Sequence, residues 1–351
     1  MRRLTKLAAV LFTGSLLLTA CGGGEESTSG GTGATGAAEE GAGALKVGLA
    51  YDIGGRGDQS FNDSAAAGLD EATATLGLEE PEELEAAEGE TDADKEERLR
   101  LLADGAYNPI IAVGFAYSAA LTAVAPDYPD TRFAIIDDSA ATGDNIANLI
   151  FAEEEGSFLV GAAAALKSTS GNVGFVGGVE TPLIKKFEAG YAAGAKAVNP
   201  AVTVQAQYLT QVPDFSGFND AAKGKTAAQG MYDAGADIVY HAAGGSGRGI
   251  FEAASESGKL AIGVDSDQYN SADPAVREVI ITSMLKKVDV AVSDFLATVS
   301  EDNFTAGELV YDLEQDGVGY STTGGKIDDI VPQLDAFKAQ IVSGEITVPS
   351  T

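Results

Sequence analysis

Few of the residue types that usually carry protein chemistry occur here, and that scarcity narrows the options. His241 is the only histidine and Cys21 the only cysteine of the 351 residues. A histidine-based metal centre has no partners to draw on. A Ser-His-Asp triad would have to use His241, which ends an apolar run with no Gly-x-Ser-x-Gly elbow beside it, so a structural role suits it better. Gly54-Gly55-Arg56-Gly57-Asp58 sits where a dinucleotide fold keeps its phosphate loop. It is not Gly-x-Gly-x-x-Gly, and Asp58 stands where a pyrophosphate needs neutral amides. Gly244-Gly245-Ser246-Gly247-Arg248-Gly249 precedes a helical stretch. It reads first as a tight turn, and second as a set of amides at Gly245 and Ser246 able to hold an oxygen-rich ligand. No catalytic constellation results, and no cofactor is called for.

Aromatic and carboxylate side chains are more informative. Phe61-Asn62, Phe115 and Phe187 each lie beside a strand end or at a helix start, in a chain with only 7% aromatic residues. Ring faces stack on planar ligands, and neighbouring Asn or Asp side chains fix polar edges. The alternative for each ring is ordinary core packing. Asp52, Asp137 and Asp265 each follow an apolar strand-like run.

Those runs come in two series. Leu45–Tyr51, Ile110–Val113, Arg132–Ile136 and Ile146–Phe151 read as strands, separated by helical stretches at Ser64–Leu76, Lys95–Leu102 and Ser118–Ala125. The acidic run from residue 79 to 97 reads as solvated loop and helix surface. After a long helix at Glu154–Lys167 the rhythm restarts. Asn172–Val176, Val202–Tyr208, Asp237–His241 and Leu260–Val264 are strands, and Ile184–Val198, Asn219–Ala234 and Gly249–Ser257 are helices. Strands spaced by helices form parallel sheets covered on both faces. Two series imply an α/β protein of two doubly wound parallel-sheet lobes joined by hinge crossings near Phe151, between Gly263 and Met284, and beyond Ser300. Residues 45–151 plus about 284–300 form the expected N-terminal lobe, and 152–283 plus about 301–351 the C-terminal lobe. Ligands of open α/β sheets sit beyond the carboxyl ends of the strands, which places Asp52, Phe115, Asp137 and Asp265 around one cleft.

The first twenty residues read as a secretory signal: a basic start, Met1-Arg2-Arg3, then an apolar run to Leu18 too short to span a bilayer. Leu18-Thr19-Ala20-Cys21 is similar to a bacterial lipobox, which implies a lipoprotein lipidated (palmitate) at Cys21 and held on the extracytoplasmic face of the cell membrane. Residues 21–44, rich in Gly, Ser, Thr, Ala and Glu, form a flexible tether. The chain carries 22 Lys and Arg against 53 Asp and Glu, a formal charge of −31. Loss of Arg2, Arg3 and Lys6 with the leader makes it −34. So acidic a surface disfavours nucleic acid and anionic lipid as partners.

Gly57-Asp58-Gln59-Ser60-Phe61-Asn62-Asp63-Ser64 resembles the opening signature of the basic membrane protein family, lipoproteins of the purine nucleoside receptor type. The resemblance continues in order through Ala112-Val113-Gly114-Phe115, Phe133-Ala134-Ile135-Ile136-Asp137 and Glu155-Gly156-Ser157-Phe158-Leu159-Val160-Gly161. It resumes at Gly174-Phe175-Val176-Gly177-Gly178, Phe187-Glu188-Ala189-Gly190-Tyr191, Ile262-Gly263-Val264-Asp265-Ser266-Asp267-Gln268 and Thr282-Ser283-Met284-Leu285-Lys286-Lys287-Val288-Asp289. It implies a type I periplasmic-binding-protein fold and a non-enzymatic substrate-binding protein that delivers nucleosides to the permease and ATPase of an ABC importer. Carried over by motif, Phe61 and Phe187 sandwich the base, Asn62 and Asp137 bind its edge, Asp265 binds the ribose hydroxyls, and Lys286 or Lys287 donates to the sugar. Asp52 and Asp58 sit at the rim. The rival readings are a same-fold receptor for a sugar or signalling ligand, and a nucleoside-processing enzyme.

Overall fold

The computed structural model describes residues 44–351. The secretory leader, Cys21 and nearly all of the tether lie outside the described residues. Among the described residues no helix is long and apolar enough to cross a membrane.

Short, fully buried apolar runs form the central strands, as expected of sheets covered on both faces. In chain order they are β1 (Gly48–Ala50), β2 (Glu82–Leu84), β3 (Ile110–Ala112), β4 (Phe133–Ile136), β5 (Ile146–Phe151) and β6 (Asn172–Glu180). They continue with β7 (Thr203–Gln211), β8 (Ile238–Ala242), β9 (Leu260–Asp265), β10 (Ile280–Lys286), β11 (Gly307–Tyr311) and β12 (Val318–Tyr320). The helices are α1 (Phe61–Leu76), α2 (Asp92–Asp104), α3 (Ser118–Val124), α4 (Glu153–Lys167) and α5 (Pro182–Val198). After them come α6 (Ala221–Asp233), α7 (Gly247–Ser257), α8 (Gln268–Ser271), α9 (Val288–Ser300) and α10 (Val331–Val342).

Two six-stranded sheets result, ordered β11-β5-β4-β3-β1-β2 and β12-β10-β9-β8-β6-β7. Strands match place for place, and every pairing is parallel except β10 with β12. The fold is thus the two-lobed α/β architecture expected from the strand rhythm, with a pseudo-symmetry that the sequence does not display as a repeat.

Several details differ from the sequence reading. Glu82-Glu83-Leu84, read as solvated surface, pairs in parallel with β1 as an edge strand, a place where charged side chains keep their water. β11 pairs with β5, so the first lobe takes in residues beyond the boundary drawn near residue 300. The chain crosses between lobes at Ala152, between β10 and α9, and between β11 and β12, so the second crossing lies past the Gly263–Met284 stretch expected for it, because β10 stays in the second sheet to Lys286. These crossings are tied together: Ala152 N–H donates to Tyr311 O at 3.1 Å, and Lys287 N–H donates to Gly317 O at 2.9 Å.

Helix packing on the sheets relies on small residues. α5 lies so close to α4 that a Cβ on Gly194 would come within 1.9 Å of Phe158 O. Close helix approach of this kind keeps the second lobe compact behind the strand ends that face the cleft.

Candidate ligand-binding site between the lobes

β4 and β9 occupy equivalent places in the two sheets, and an aspartate with left-handed backbone stands at the carboxyl end of each, Asp137 just after β4 at φ +66° and Asp265 as the last residue of β9 at φ +62°. A non-glycine residue accepts that conformation at a cost, and Asp accepts it more readily than most. The kink turns both carboxylates out of their sheets into a cavity between the lobes. Asp52 and Phe115 from the first lobe, and Val264 and Ala242 from the second, share its wall.

Rings enter from helix starts. Phe61 is the first residue of α1, and Phe187 lies in the second turn of α5. Both line the cavity, and their rings lie 5.2 and 5.5 Å from the Lys286 ammonium. Phe151 is a third ring, 4.9 Å from the same nitrogen. A cation held between ring faces at such distances is favoured by their quadrupoles.

Lys286 ends β10 and is buried to 1% exposure, yet it stays charged because carboxylates surround it. Its Nζ donates to Asp137 Oδ2 at 2.5 Å and lies 3.1 Å from Glu153 Oε1, off hydrogen-bond alignment. Glu153, fully buried at the start of α4, also accepts from Lys186 Nζ at 3.1 Å. Burial works against the Lys286 charge, and Asp137, Glu153 and Asp265 outweigh it, so its pKa is raised. Burial raises the Asp137 pKa to about 7, with Glu153 adding to it and Lys286 opposing. Asp265 is raised by burial too, against Lys286 and a hydrogen bond from Ser60. The remaining oxygen of Asp137, Oδ1, is buried without a hydrogen-bond partner. An orphan acceptor in low dielectric is costly, so it is a place where a ligand donor gains most.

The loop before α1 is organised by Asp58. Its Oδ1 accepts from Ser60 and Asp63 N–H at 2.8 and 3.1 Å, and its Oδ2 accepts from Asn62 N–H and Asn62 Nδ2 at 2.9 and 3.0 Å. Asn62 Oδ1 accepts from Asp52 N–H at 3.0 Å. Both N–H groups of the Asn62 amide are engaged, the second in a 3.4 Å contact with Ile53 O. Burial lifts Asp52 and Asp58 to pKa values of about 6.

A type I two-lobed fold with this site at the strand ends is what the motif order implied, and the family model for PnrA-like ABC transporter substrate-binding proteins, Bmp, matches residues 44–351. The chain belongs to the Bmp family. It is 33% identical over 322 residues to the ABC transporter nucleoside-binding protein BmpA of Lactococcus lactis, covering 87% of this chain and 89% of that one. It is 34% identical over 318 residues to the CD4+ T-cell-stimulating antigen of Listeria monocytogenes, covering 86% and 87%. Among solved structures, an ABC transporter solute-binding protein from Aeropyrum pernix superposes with a TM-score of 0.76 at 30% identity, over 88% of this chain and 94% of that one. This Bmp protein is therefore an ABC transporter substrate-binding protein, and the Lactococcus lactis and Aeropyrum pernix relatives are named as binding proteins.

Within the Bmp fold, Phe61, Asn62, Asp137, Phe187, Asp265, Lys286, Asp52, Asp58 and Phe115 all line one cavity. Gly245, Ser246 and Lys287 do not. Gly244, at φ +50°, is the residue of its turn that reaches the wall, whereas Ser246 Oγ donates to Gly217 O at 2.8 Å and accepts from Asp220 N–H at 2.7 Å. The turn reading of that glycine run is the one the geometry follows. Lys287 stands at the N-cap of α9 and faces a separate groove beside Asp316 and Lys338. Lys286, the last residue of β10, thus points inward, while the chain turns at Lys287 toward the helix.

Sequence reasoning missed Glu153, a buried acid in the first turn of a helix, and the apolar wall of Ile53, Leu183, Ile184 and Phe218. It also missed Phe215, whose ring meets Phe115 edge-on at 5.9 Å across the cleft, while Phe218 meets it at 6.4 Å. The signal was present for these two: paired rings in Asp214-Phe215-Ser216-Gly217-Phe218, just past a strand. Among the described residues no group of three or more His, Cys, Asp or Glu is arranged to hold a metal.

Proposed function

We propose that this Bmp protein captures purine nucleosides in the interlobe cavity and delivers them to an ABC importer from a lipid anchor at Cys21. The observation that carries the ligand assignment is the entry of one ring from each lobe, Phe61 and Phe187, into a cavity that also holds the unpartnered Asp137 Oδ1. Ring faces supplied by both lobes suit stacking on a planar base. Its ring N–H, as in guanine or hypoxanthine, supplies the donor that Asp137 Oδ1 lacks. Asn62 Oδ1 keeps a second lone pair for an exocyclic or ring N–H, its own donors being used within the protein. Asp265 and Lys286 take the ribose, the carboxylate accepting from paired hydroxyls and the ammonium donating to sugar oxygens.

Each ring stacked on a base contributes roughly 1–3 kcal/mol. With a ribose clamp, affinity of about micromolar or tighter follows, near −8 kcal/mol. Asp52 and Asp58 add negative potential and no anion-binding donors, so a phosphorylated ligand gains nothing here. The role is binding followed by handover, with no group poised as a nucleophile.

Calorimetric titration of a Cys21→Ser chain with guanosine, inosine, adenosine, cytidine, uridine and ribose tests the proposal. Purine nucleosides bind, guanosine and inosine ahead of adenosine, and Asp265→Ala abolishes binding. Binding of ribose alone, or of none of the six, would remove the nucleoside assignment.

A further inference from the structure

Ser60, Ser266 and Gln268 belong to the family-like blocks, yet none of them lines the cavity. Their polar atoms go instead to the opposite lobe. Ser60 Oγ donates to Asp265 Oδ2 at 2.5 Å, Ser266 Oγ donates to Gln59 O at 3.1 Å, and Gln268 Nε2 donates to the same carbonyl at 2.8 Å. One dipeptide of the first lobe, Gln59-Ser60, therefore makes three hydrogen bonds to the segment that ends β9 and begins α8.

Both sides are shaped for this contact. Gln59 has left-handed backbone at φ +58°, a costly conformation for a side chain of that kind. Ser60 stands at the N-cap of α1, where a serine ordinarily caps, but its side chain makes no cap; Asp58 accepts the first-turn N–H groups instead. That substitution frees the Ser60 hydroxyl to cross the cleft. On the facing side the Gln268 amide cannot rotate. Its Oε1 accepts from Val264 N–H at 2.9 Å and pairs with His241 Nε2 at 3.0 Å, which leaves Nε2 aimed at Gln59 O. The only histidine of the chain, fully buried, thus acts as a positioning residue for an interlobe contact.

We infer that the Gln59 carbonyl and the Ser266 and Gln268 side chains form a latch that holds the two lobes together and sets how long a solute is retained, separately from the residues that recognise it. The latch rests on the substrate-binding role of the family and not on the identity of the solute. Ser266→Ala removes one bond at a half-exposed site. Gln268→Glu keeps the oxygen facing Val264 and His241 but sets a carboxylate oxygen against the Gln59 carbonyl. Ser266→Thr keeps a hydroxyl and serves as the rescue.

Interlobe distance distributions decide the matter, measured by pulsed electron resonance between spin labels at Ala119→Cys in α3 and Ala222→Cys in α6, both exposed, in a Cys21→Ser chain. Without added solute, Ser266→Ala and Gln268→Glu each raise the long-distance population relative to the short one roughly 3- to 10-fold, the effect of one neutral hydrogen bond, and Ser266→Thr does not. With guanosine as probe, stopped-flow dissociation quickens by a similar factor while the ranking of bases is unchanged. Unaltered distance distributions in both variants would overturn the latch. A parent chain that binds no nucleoside would instead remove the ligand assignment, with the distance comparison still deciding the latch.

Discussion

Asp52, Asp58, Asp137, Asp265 and His241 are buried titratable groups at or beside one cavity, and burial pushes the acids and the base in opposite directions along the pH scale. Asp52 and Asp58 are raised to about 6, while His241 is lowered to about 4, each chiefly by loss of solvent. A raised carboxylate binds its proton more tightly when folded, so its contribution is complete below the unfolded value near 3.8 and is lost as pH rises through 6. A lowered histidine does the reverse: its contribution is complete above the unfolded value of 6.5 and is lost as pH falls through 4. Asp52→Asn retains an oxygen for Ile53 N–H and removes the buried charge. Urea unfolding at pH 8 is expected to show it more stable than the parent by about 1–3 kcal/mol, with the difference gone near pH 4. His241→Gln keeps a donor toward Gln268 and removes the opposing slope. Between pH 6.5 and 4 the parent then loses up to about 1.4 kcal/mol per pH unit relative to this variant.

At the scale of elements, the site depends on helices that begin beside strand ends, and on how closely those helices pack behind them. α5 carries Phe187 into the cavity and is held against α4, which carries Glu153 under Lys286. Gly194 sets that separation, since its would-be Cβ lies 1.9 Å from a backbone carbonyl that has no free rotamer to give. Gly194→Ala is expected to lower stability by about 1–3 kcal/mol in urea unfolding and to weaken nucleoside affinity through displacement of Phe187. The strands and longer helices that make this frame were legible because buried runs and helical stripes are local patterns. The elements after β9, among them β10, α9, β11, β12 and α10, were not, and neither was β2. Glu82-Glu83-Leu84 is charged at an edge, β12 is three residues long, and such strands take their identity from the neighbour they pair with rather than from a period of their own.

For the whole molecule, three crossings, two of them hydrogen-bonded to the third, join lobes whose facing surfaces supply different halves of one site. Phe61, Asp52 and Asp137 come from the first lobe; Phe187, Asp265 and Lys286 come from the second. A solute that contacts both halves favours the joined arrangement, because only there does it gain both sets of contacts. X-ray scattering is expected to show a fall in radius of gyration on saturation with guanosine, larger in Gln268→Glu, whose weakened latch leaves more of the chain open beforehand. An unchanged radius in both would mean that uptake proceeds without lobe movement.

Periodicity and ordered motifs alone determined the two-lobed α/β plan, the family, and the strand-end aspartates and helix-start phenylalanines gathered at the cleft. These are properties of short windows, in which alternation, helical spacing and a residue's place after a strand are all visible. The tertiary structure alone decided that Lys286 rather than Lys287 enters the cavity, that Glu153 lies beneath it, and that Asn62 spends its amide donors inside the protein. It also decided that Ser60 and Gln268 reach across the cleft. The cross-cleft pairings join distant residues: 149 positions separate Lys286 from Asp137, and 209 separate Gln268 from Gln59. They arise when strand order and lobe contact bring distant side chains together, and no local pattern encodes which atoms will meet.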